Sequence, residues 1–445
     1  MSSVILGGGI IGSSIAYYLS QNQPSDEIHV VEASSQLFSA ASGYAAGFLA
    51  KDWFAPALAP LAALSFDLHE SLAAEHGGDK KWGYMKGTAL SLDVSDGKKK
   101  GGARGDDWLR AGTSRAETAA GSKSPIYHEA PGWMTKQKKG VFEKISEDDT
   151  VAQADPLRLS KFFMETALSR GVNLHHPAKA VSLVTDGASN TITGVRIIDL
   201  TTRTESTLPC TNLIICAGPW TPQVFCDLFP SSSVSVPITP LAGYSLVVRS
   251  PRYTLEHEAK GYGGRSHAVF TTHPASSGFS PEIFSREGGE IYIAGLNSTQ
   301  IPLPSQAEDS HKLMEQKEME RLRQVAIRLM GKLVDGSAES TEEVINTNDL
   351  EIVREGLCFR PVSARGVPFV AKVEDDLLGG FKTGTQNKKA AGRARGGVFV
   401  ATGHGPWGIS LAPGTGRVVA QMVEGLRPEV DISGLAVGDS TKAKL

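Results

Sequence analysis

Apolar and polar positions near the N-terminus pass through three patterns in quick succession. Residues 3–6, Ser-Val-Ile-Leu, are a short apolar run of the kind a buried strand shows. Residues 11–20 carry apolar positions at helical spacing, and residues 28–31, Ile-His-Val-Val, read as a second strand. The chain is therefore expected to open on a βαβ unit. An apolar helical stretch follows around 58–72. Asp155 and Pro156 then open another helix that runs to about Arg170, where Gly171 stops it, with strand text at 172–174 and 180–184.

The pattern changes between residues 237 and 296. Runs at 245–248, 268–271 and 291–294 look like strands without the intervening helices that a parallel sheet requires, so this section predicts antiparallel sheet. Residues 308–334 place Leu313, Met314, Met319, Leu322, Val325, Ala326, Leu329 and Met330 near helical period with charges between, predicting one long amphipathic helix. Two stretches lack such a pattern. Residues 93–123, with Lys98, Lys99, Lys100 and repeated glycines, read as a polar surface excursion. Residues 387–397 read as a basic loop tip, since no aromatic residue interleaves with the charges as nucleic-acid binding would require.

At 445 residues the chain exceeds one ordinary core, so two cores are expected. Lysine and arginine number 45 against 48 acidic residues, a net charge of -3, which favours a small-molecule partner over nucleic acid or an anionic membrane. No run is long enough for a membrane span. None of the four cysteines, Cys210, Cys216, Cys226 and Cys358, has CxxC spacing, so neither a metal site nor a disulfide framework is expected. The terminus Ala443-Lys444-Leu445 is one substitution from a peroxisomal address, and peroxisomal rather than cytoplasmic residence is the expectation it raises.

The chemistry begins at Gly7-Gly8-Gly9-Ile10-Ile11-Gly12, a G-x-G-x-x-G between the first strand and its helix. Gly7 permits the tight turn, Gly9 the approach of a pyrophosphate, and Gly12 close helix–strand packing, while the helix start at Ile10 and Ile11 offers amides to an anion. Glu32 ends the second strand twenty residues after Gly12, followed by Ala33 and Ser34, and is placed to accept bonds from ribose hydroxyls. A dinucleotide site results. The carboxylate disfavours the 2'-phosphate of NADP, and the choice between NAD and FAD stays open on these residues alone.

Three further segments bear on that choice. Ala41-Ser42-Gly43-Tyr44-Ala45-Ala46-Gly47-Phe48-Leu49 is a run of small residues that lets backbone approach a flat ring. The others are Leu213-Ile214-Ile215-Cys216-Ala217-Gly218-Pro219-Trp220 and Gly403-His404-Gly405-Pro406-Trp407-Gly408-Ile409. With the N-terminal motif, their residues and order resemble the D-amino-acid oxidase superfamily. The resemblance is narrower to its glycine oxidase and sarcosine oxidase branch and, within that, to fungal FAD-dependent oxidoreductases.

The resemblance implies an α/β fold with a discontinuous Rossmann-type FAD domain, residues 1–85, 150–225 and 350–435, and an antiparallel or mixed-sheet substrate domain, 86–149 and 226–349. It implies noncovalent FAD held by Gly7, Gly9, Ile10, Ile11, Gly12, Glu32, Ala33, Ser34, Ala41, Ser42, Ala46, Gly47 and Phe48. Ala180 and Val181 are expected to meet the adenine, and Ala217, Gly218 and Trp220 the flavin. Gly403, His404, Gly405, Pro406, Trp407, Gly408 and Ile409 would run along the flavin before a helix from about Gly414. Arg360 matches the arginine that holds a substrate carboxylate, which suits a guanidinium fork. His404 is a candidate acid–base group, and Tyr244 and Tyr292 are candidates to line the site. Cys358 falls near the position where sarcosine oxidase relatives bond flavin covalently, but its neighbours follow the glycine oxidase pattern.

The implied activity is hydride removal from a carbon bearing an amine, giving an imine that water hydrolyses, with reoxidation by oxygen. Residues 291–294 lack the lysine that sarcosine oxidase relatives use to promote reaction with oxygen, so a dehydrogenase using another acceptor is the alternative. A flavoprotein with a mainly regulatory or binding role is a further one.

Overall fold

The computed structural model describes residues 1–94, 130–138, 140–272, 278–384 and 396–437. Most of the 93–123 excursion, most of the 387–397 basic stretch and the Ala443-Lys444-Leu445 terminus lie outside them.

The opening unit forms as its pattern predicts. Strand Ser3–Leu6 is buried at all four positions and pairs in parallel with Ile28–Val31, with helix Ile10–Asn22 between them. Among the described residues this pair lies in a six-stranded sheet ordered Phe369–Val373, Gly397–Thr402, Asn212–Ile215, Ser3–Leu6, Ile28–Val31, Asn173–His175. Its pairs are parallel apart from the edge strand Phe369–Val373. Helix Pro156–Ser169 starts where expected, because the Asp155 carboxylate accepts the Arg158 N–H at 2.8 Å and Pro156 sits in the first turn, and Gly171, at φ 103°, follows its end. A three-stranded antiparallel sheet, Ala178–Asp186, Thr191–Asp199 and Glu205–Pro209, lies beside the six-stranded one.

The other half is, among the described residues, a nine-stranded sheet. Ile238–Arg249 pairs antiparallel with both Glu351–Ser363 and Glu290–Ser298, and the latter continues through Glu282–Arg286 to Ser266–Thr272, as the middle section predicts. Ser266–Thr272 then runs parallel to Met85–Asp93, so the sheet is mixed. Phe48–Ala50, Val151–Gln153 and Glu351–Ser363 fall within the spans expected for the FAD-side unit, yet they are hydrogen-bonded into this larger sheet. The chain thus has the α/β architecture expected, a parallel Rossmann-like sheet joined to a mixed one.

Two helices differ from their pattern. The amphipathic helix expected over 308–334 is Gln316–Met330, preceded by a short 3-10 turn, Ala307–Leu313. Met314 between them is extended, and the Glu315 N–H is spent on the Tyr244 hydroxyl at 3.2 Å. The helix expected from about Gly414 begins at Gly408 and runs to Val423 through Pro413.

Proline in a helix leaves the carbonyl four residues earlier without its donor. Here His69 Nε2–H donates to that carbonyl, Ile409 O, at 3.0 Å. Ser65 fills the next gap: the Gly414 N–H donates to Ser65 Oγ at 3.0 Å, and the hydroxyl donates on to Ser410 O at 2.7 Å. Helix Ala59–His76 therefore carries the helix through its proline. No helix of the described residues is long and apolar enough to cross a membrane.

Candidate active site

A cavity of about 710 Å³ opens at the C-terminal ends of the parallel strands, lined there by Leu6, Val31, Cys216 and Ala401. That is where open α/β sheets place their ligands.

The glycine turn forms its floor. A Cβ on Gly7, at φ 111°, would lie 2.6 Å from Cys216 O, and one on Gly12 would lie 1.9 Å from Gly7 O. Gly7, Gly9, Ile10 and Ile11 line the cavity; Gly12 does not, because it is the helix–strand contact. A helix start leaves its first amides without internal acceptors. The Ile10 N–H donates to Ser42 Oγ at 2.9 Å, while the Gly9, Ile11 and Gly12 amides meet no acceptor among the described residues. Glu32 also lines the cavity; its carboxylate accepts the Gly8 N–H at 2.7 Å and the Ser34 N–H at 2.8 Å, which fixes it at the strand end.

The 41–49 run divides in two. Ala41, Ser42 and Ala45 line the cavity, as do Ala33 and Ser34 before them. Ala46, Gly47 and Phe48, expected to touch the cofactor, do not line the cavity. Ala46 O accepts from Gln153 Nε2 at 2.7 Å and from Arg286 Nη2 at 2.8 Å. Gly47, at φ 89°, has the Ala154 carbonyl where its Cβ would be, 1.8 Å away. The Phe48 ring packs on Phe270 at 5.4 Å and Phe284 at 5.7 Å. These residues hold the loop from behind.

Ala180, Val181, Ala217, Gly218 and Trp220 line the cavity, joined by Lys179 and Gln223, which carried no local signal. In the late segment His404, Gly405, Pro406, Gly408 and Ile409 line it. Gly403 and Trp407 do not: a Cβ on Gly403 would meet Ile238 at 2.9 Å, and the Trp407 ring packs on Phe54 at 4.7 Å. Ser305, Gln306 and Ala307 complete one side, and only the fold brings them there.

His404 is buried with Nε2 3.1 Å from Thr415 Oγ1, and burial lowers its pKa to about 3. It stays neutral at physiological pH, so the geometry offers a packed, hydrogen-bonded group rather than a proton donor. His69 is lowered to about 4, again first by burial. Both are depressed below the ordinary histidine value, so the stability they contribute is complete above about pH 6.5 and is lost as pH falls toward those values. The expected result is a decline in unfolding free energy below pH 6.5 with about 1.4 kcal/mol per pH unit from each histidine. Urea melts from pH 7 to 4.5 should show a shallower decline for His69→Gln than for the parent. An unchanged slope would refute the assignment.

Arg360 stands on the wall with Cys358 and Pro361. Its Nη1–H donates to Asn297 Oδ1 at 2.7 Å, and among the described residues no carboxylate lies within 4.0 Å of it. Burial pushes the Cys358 thiol up, despite Arg360 and Arg354 nearby. Tyr244 and Tyr292 do not line the cavity: Tyr292 is buried with its hydroxyl donating to Tyr44 O at 3.1 Å, and Tyr244 receives Glu315.

A model of the family described as FAD dependent oxidoreductase (DAO) matches residues 3–422. The chain belongs to that family. A Schizosaccharomyces pombe protein named "Putative oxidoreductase C1F5.03c" is 26% identical over 429 residues, 94% of this chain and 93% of the relative. Among solved structures, glycine oxidase from Geobacillus kaustophilus covers 98% of both chains at a TM-score of 0.63 and 19% identity. L-proline dehydrogenase from P. horikoshii covers 98% of this chain and 96% of its own at 0.65 and 13%. At these identities the structural likeness concerns the fold. An oxidase and a dehydrogenase share it.

The residues of this FAD-dependent oxidoreductase fit the family's cofactor. The unspent amides of Gly9 and Ile11, which line the cavity at the helix start, suit a pyrophosphate, and Glu32 at the neighbouring strand end suits a ribose. Gly218 and Gly405, at φ 53° and 56°, line the cavity, and a Cβ on either would meet no atom within 4 Å, so the wall there is bare backbone that a flat ring can approach.

Proposed function

We propose that this FAD-dependent oxidoreductase oxidises the C–N bond of a small amine or amino acid that carries a carboxylate. The observation that carries the reading is Arg360: a guanidinium on the cavity wall, steadied by Asn297 and free of any carboxylate within 4.0 Å among the described residues. Such a group binds a substrate carboxylate bidentately and so fixes which carbon faces the ring. When bound, FAD would supply the hydride acceptor at N5, with oxygen or another acceptor as the final oxidant.

The chain's own residues orient and exclude. His404, held neutral, packs the wall and takes no proton, because the amine binds in its neutral form. The imine product is hydrolysed by water after the step. The Cys358 thiol, pushed up by burial, remains protonated, which supports noncovalent FAD. Arg360→Met is expected to raise the KM or Kd of a carboxylate-bearing substrate about 10- to 100-fold. An unchanged value, measured with the same substrate, refutes the role.

A second reading, a dehydrogenase passing electrons to a carrier, is favoured by one feature. Strand Glu290–Ser298 carries no lysine. Slow recovery in air of flavin bleached anaerobically by substrate would favour it.

A further inference from the structure

Residues 299–314 leave the large sheet after Glu290–Ser298 and reach Gln316–Met330 by passing along the cavity, where Ser305, Gln306 and Ala307 form part of its wall. The segment is fastened to the dinucleotide side at two places. Trp220 Nε1–H donates to Pro304 O at 2.7 Å. Glu308 accepts three hydrogen bonds from two adjacent residues: Ser34 Oγ at 2.5 Å, Ser35 N–H at 2.9 Å and Ser35 Oγ at 2.7 Å. At its far end the chain is anchored by the Glu315 N–H on the Tyr244 hydroxyl.

Ser34 links this contact to the cofactor site. Its N–H holds the Glu32 carboxylate at 2.8 Å while its hydroxyl holds Glu308, so the acid placed for the ribose and the acid on the crossing segment share one residue. Among the described residues no cation lies within 4.0 Å of Glu308, so Ser34 and Ser35 make the direct contacts to its carboxylate while Lys312 acts on it at longer range. Burial by itself would raise the Glu308 carboxyl, but the bonds from Ser34 and Ser35 outweigh it and bring the pKa down to about 2. The carboxylate is therefore charged across the physiological range, and hydrogen bonds to a charged acceptor are the stronger kind.

We propose that Glu308 is the latch that holds residues 299–314 along the dinucleotide cleft, so that FAD enters and leaves only after the contact between Glu308 and Ser34 and Ser35 opens. The inference rests on the family's cofactor and is independent of the substrate proposed above.

The test is the rate at which FAD leaves the holoprotein on dilution into FAD-free buffer, followed by flavin fluorescence. Glu308→Ala should release FAD about tenfold faster or more, and Glu308→Gln, which keeps one acceptor oxygen, by a smaller factor. A rate for Glu308→Ala within about twofold of the parent overturns the proposal. A measurement on the parent protein covers the case of a variant that does not fold. Amide hydrogen exchange over residues 305–314 should be slower in the holoprotein than after FAD removal. Equal exchange in the two forms also overturns it.

Discussion

Gly12→Ala protein is expected to emerge from purification without flavin and with its unfolding free energy lowered by about 3 kcal/mol or more. The added carbon would lie 1.9 Å from Gly7 O and 3.1 Å from the Cys216 sulfur. Neither neighbour can retreat cheaply. Gly7 N–H is bonded to Val31 O at 2.9 Å, and Cys216 N–H to Leu6 O at 2.9 Å, so both belong to the hydrogen-bonded frame of the parallel sheet. Helix Ile10–Asn22 must move away from strand Ser3–Leu6 instead, and the amides at its start move with it. Stability and cofactor binding therefore fall together. The ratio of flavin to protein and the urea midpoint measure them separately, and a fully loaded Gly12→Ala protein would refute the packing described.

Arg286→Leu is expected to cost about 2–4 kcal/mol and to weaken FAD binding in parallel. Arg286 is 4% exposed, and its guanidinium donates to Ala45 O at 2.6 Å and to Ala46 O at 2.8 and 3.2 Å, with Asp155 4.0 Å away. Arg354 does the same for Gly43 O at 2.9 Å, stacking on Tyr44. The two arginines, reaching over from the large sheet, hold the carbonyls of the loop whose Ala41, Ser42 and Ala45 line the cavity. A leucine would leave Ala45 O without this donor and slacken the loop. Arg286→Lys keeps the charge but not the fork, so it should recover only part of the loss. Thermal melts and FAD titration of the two variants check this; equal behaviour of Arg286→Lys and the parent would show that charge alone matters.

The readable parts of this fold are those whose causes are local. The turn at Gly7, the helix start at Asp155 and the acid at Glu32 each announce themselves within a few residues, and each lies where its motif places it. The segments ending in Trp220 and starting at Gly403 were readable as family text, and the cavity gathers most of their residues. Distant partners hide the rest. The helix expected from about Gly414 begins at Gly408 because Ser65 and His69, more than 300 residues earlier, satisfy the ladder that Pro413 breaks, and nothing near Pro413 shows it. Phe48 reads as a cofactor neighbour by its place after Gly47, yet the alternation of a strand turns its ring into the aromatic cluster with Phe270 and Phe284. Tyr244 reads as a candidate to line the site, but its hydroxyl is claimed by the Glu315 N–H. Residues 305–307 have no motif at all, and their position follows from Trp220 and Ser34 holding the segment that contains them.

The central claim is that the cavity holds FAD and presents to it an amine whose carboxylate rests on Arg360. Anaerobic titration of the purified holoprotein with glycine, D-amino acids and secondary amines that carry a carboxylate, followed by flavin absorbance, tests it most directly. Bleaching of the oxidised flavin band by at least one such compound, with the concentration needed rising in Arg360→Met, is the predicted result. A flavin that stays oxidised through the whole panel would contradict the account.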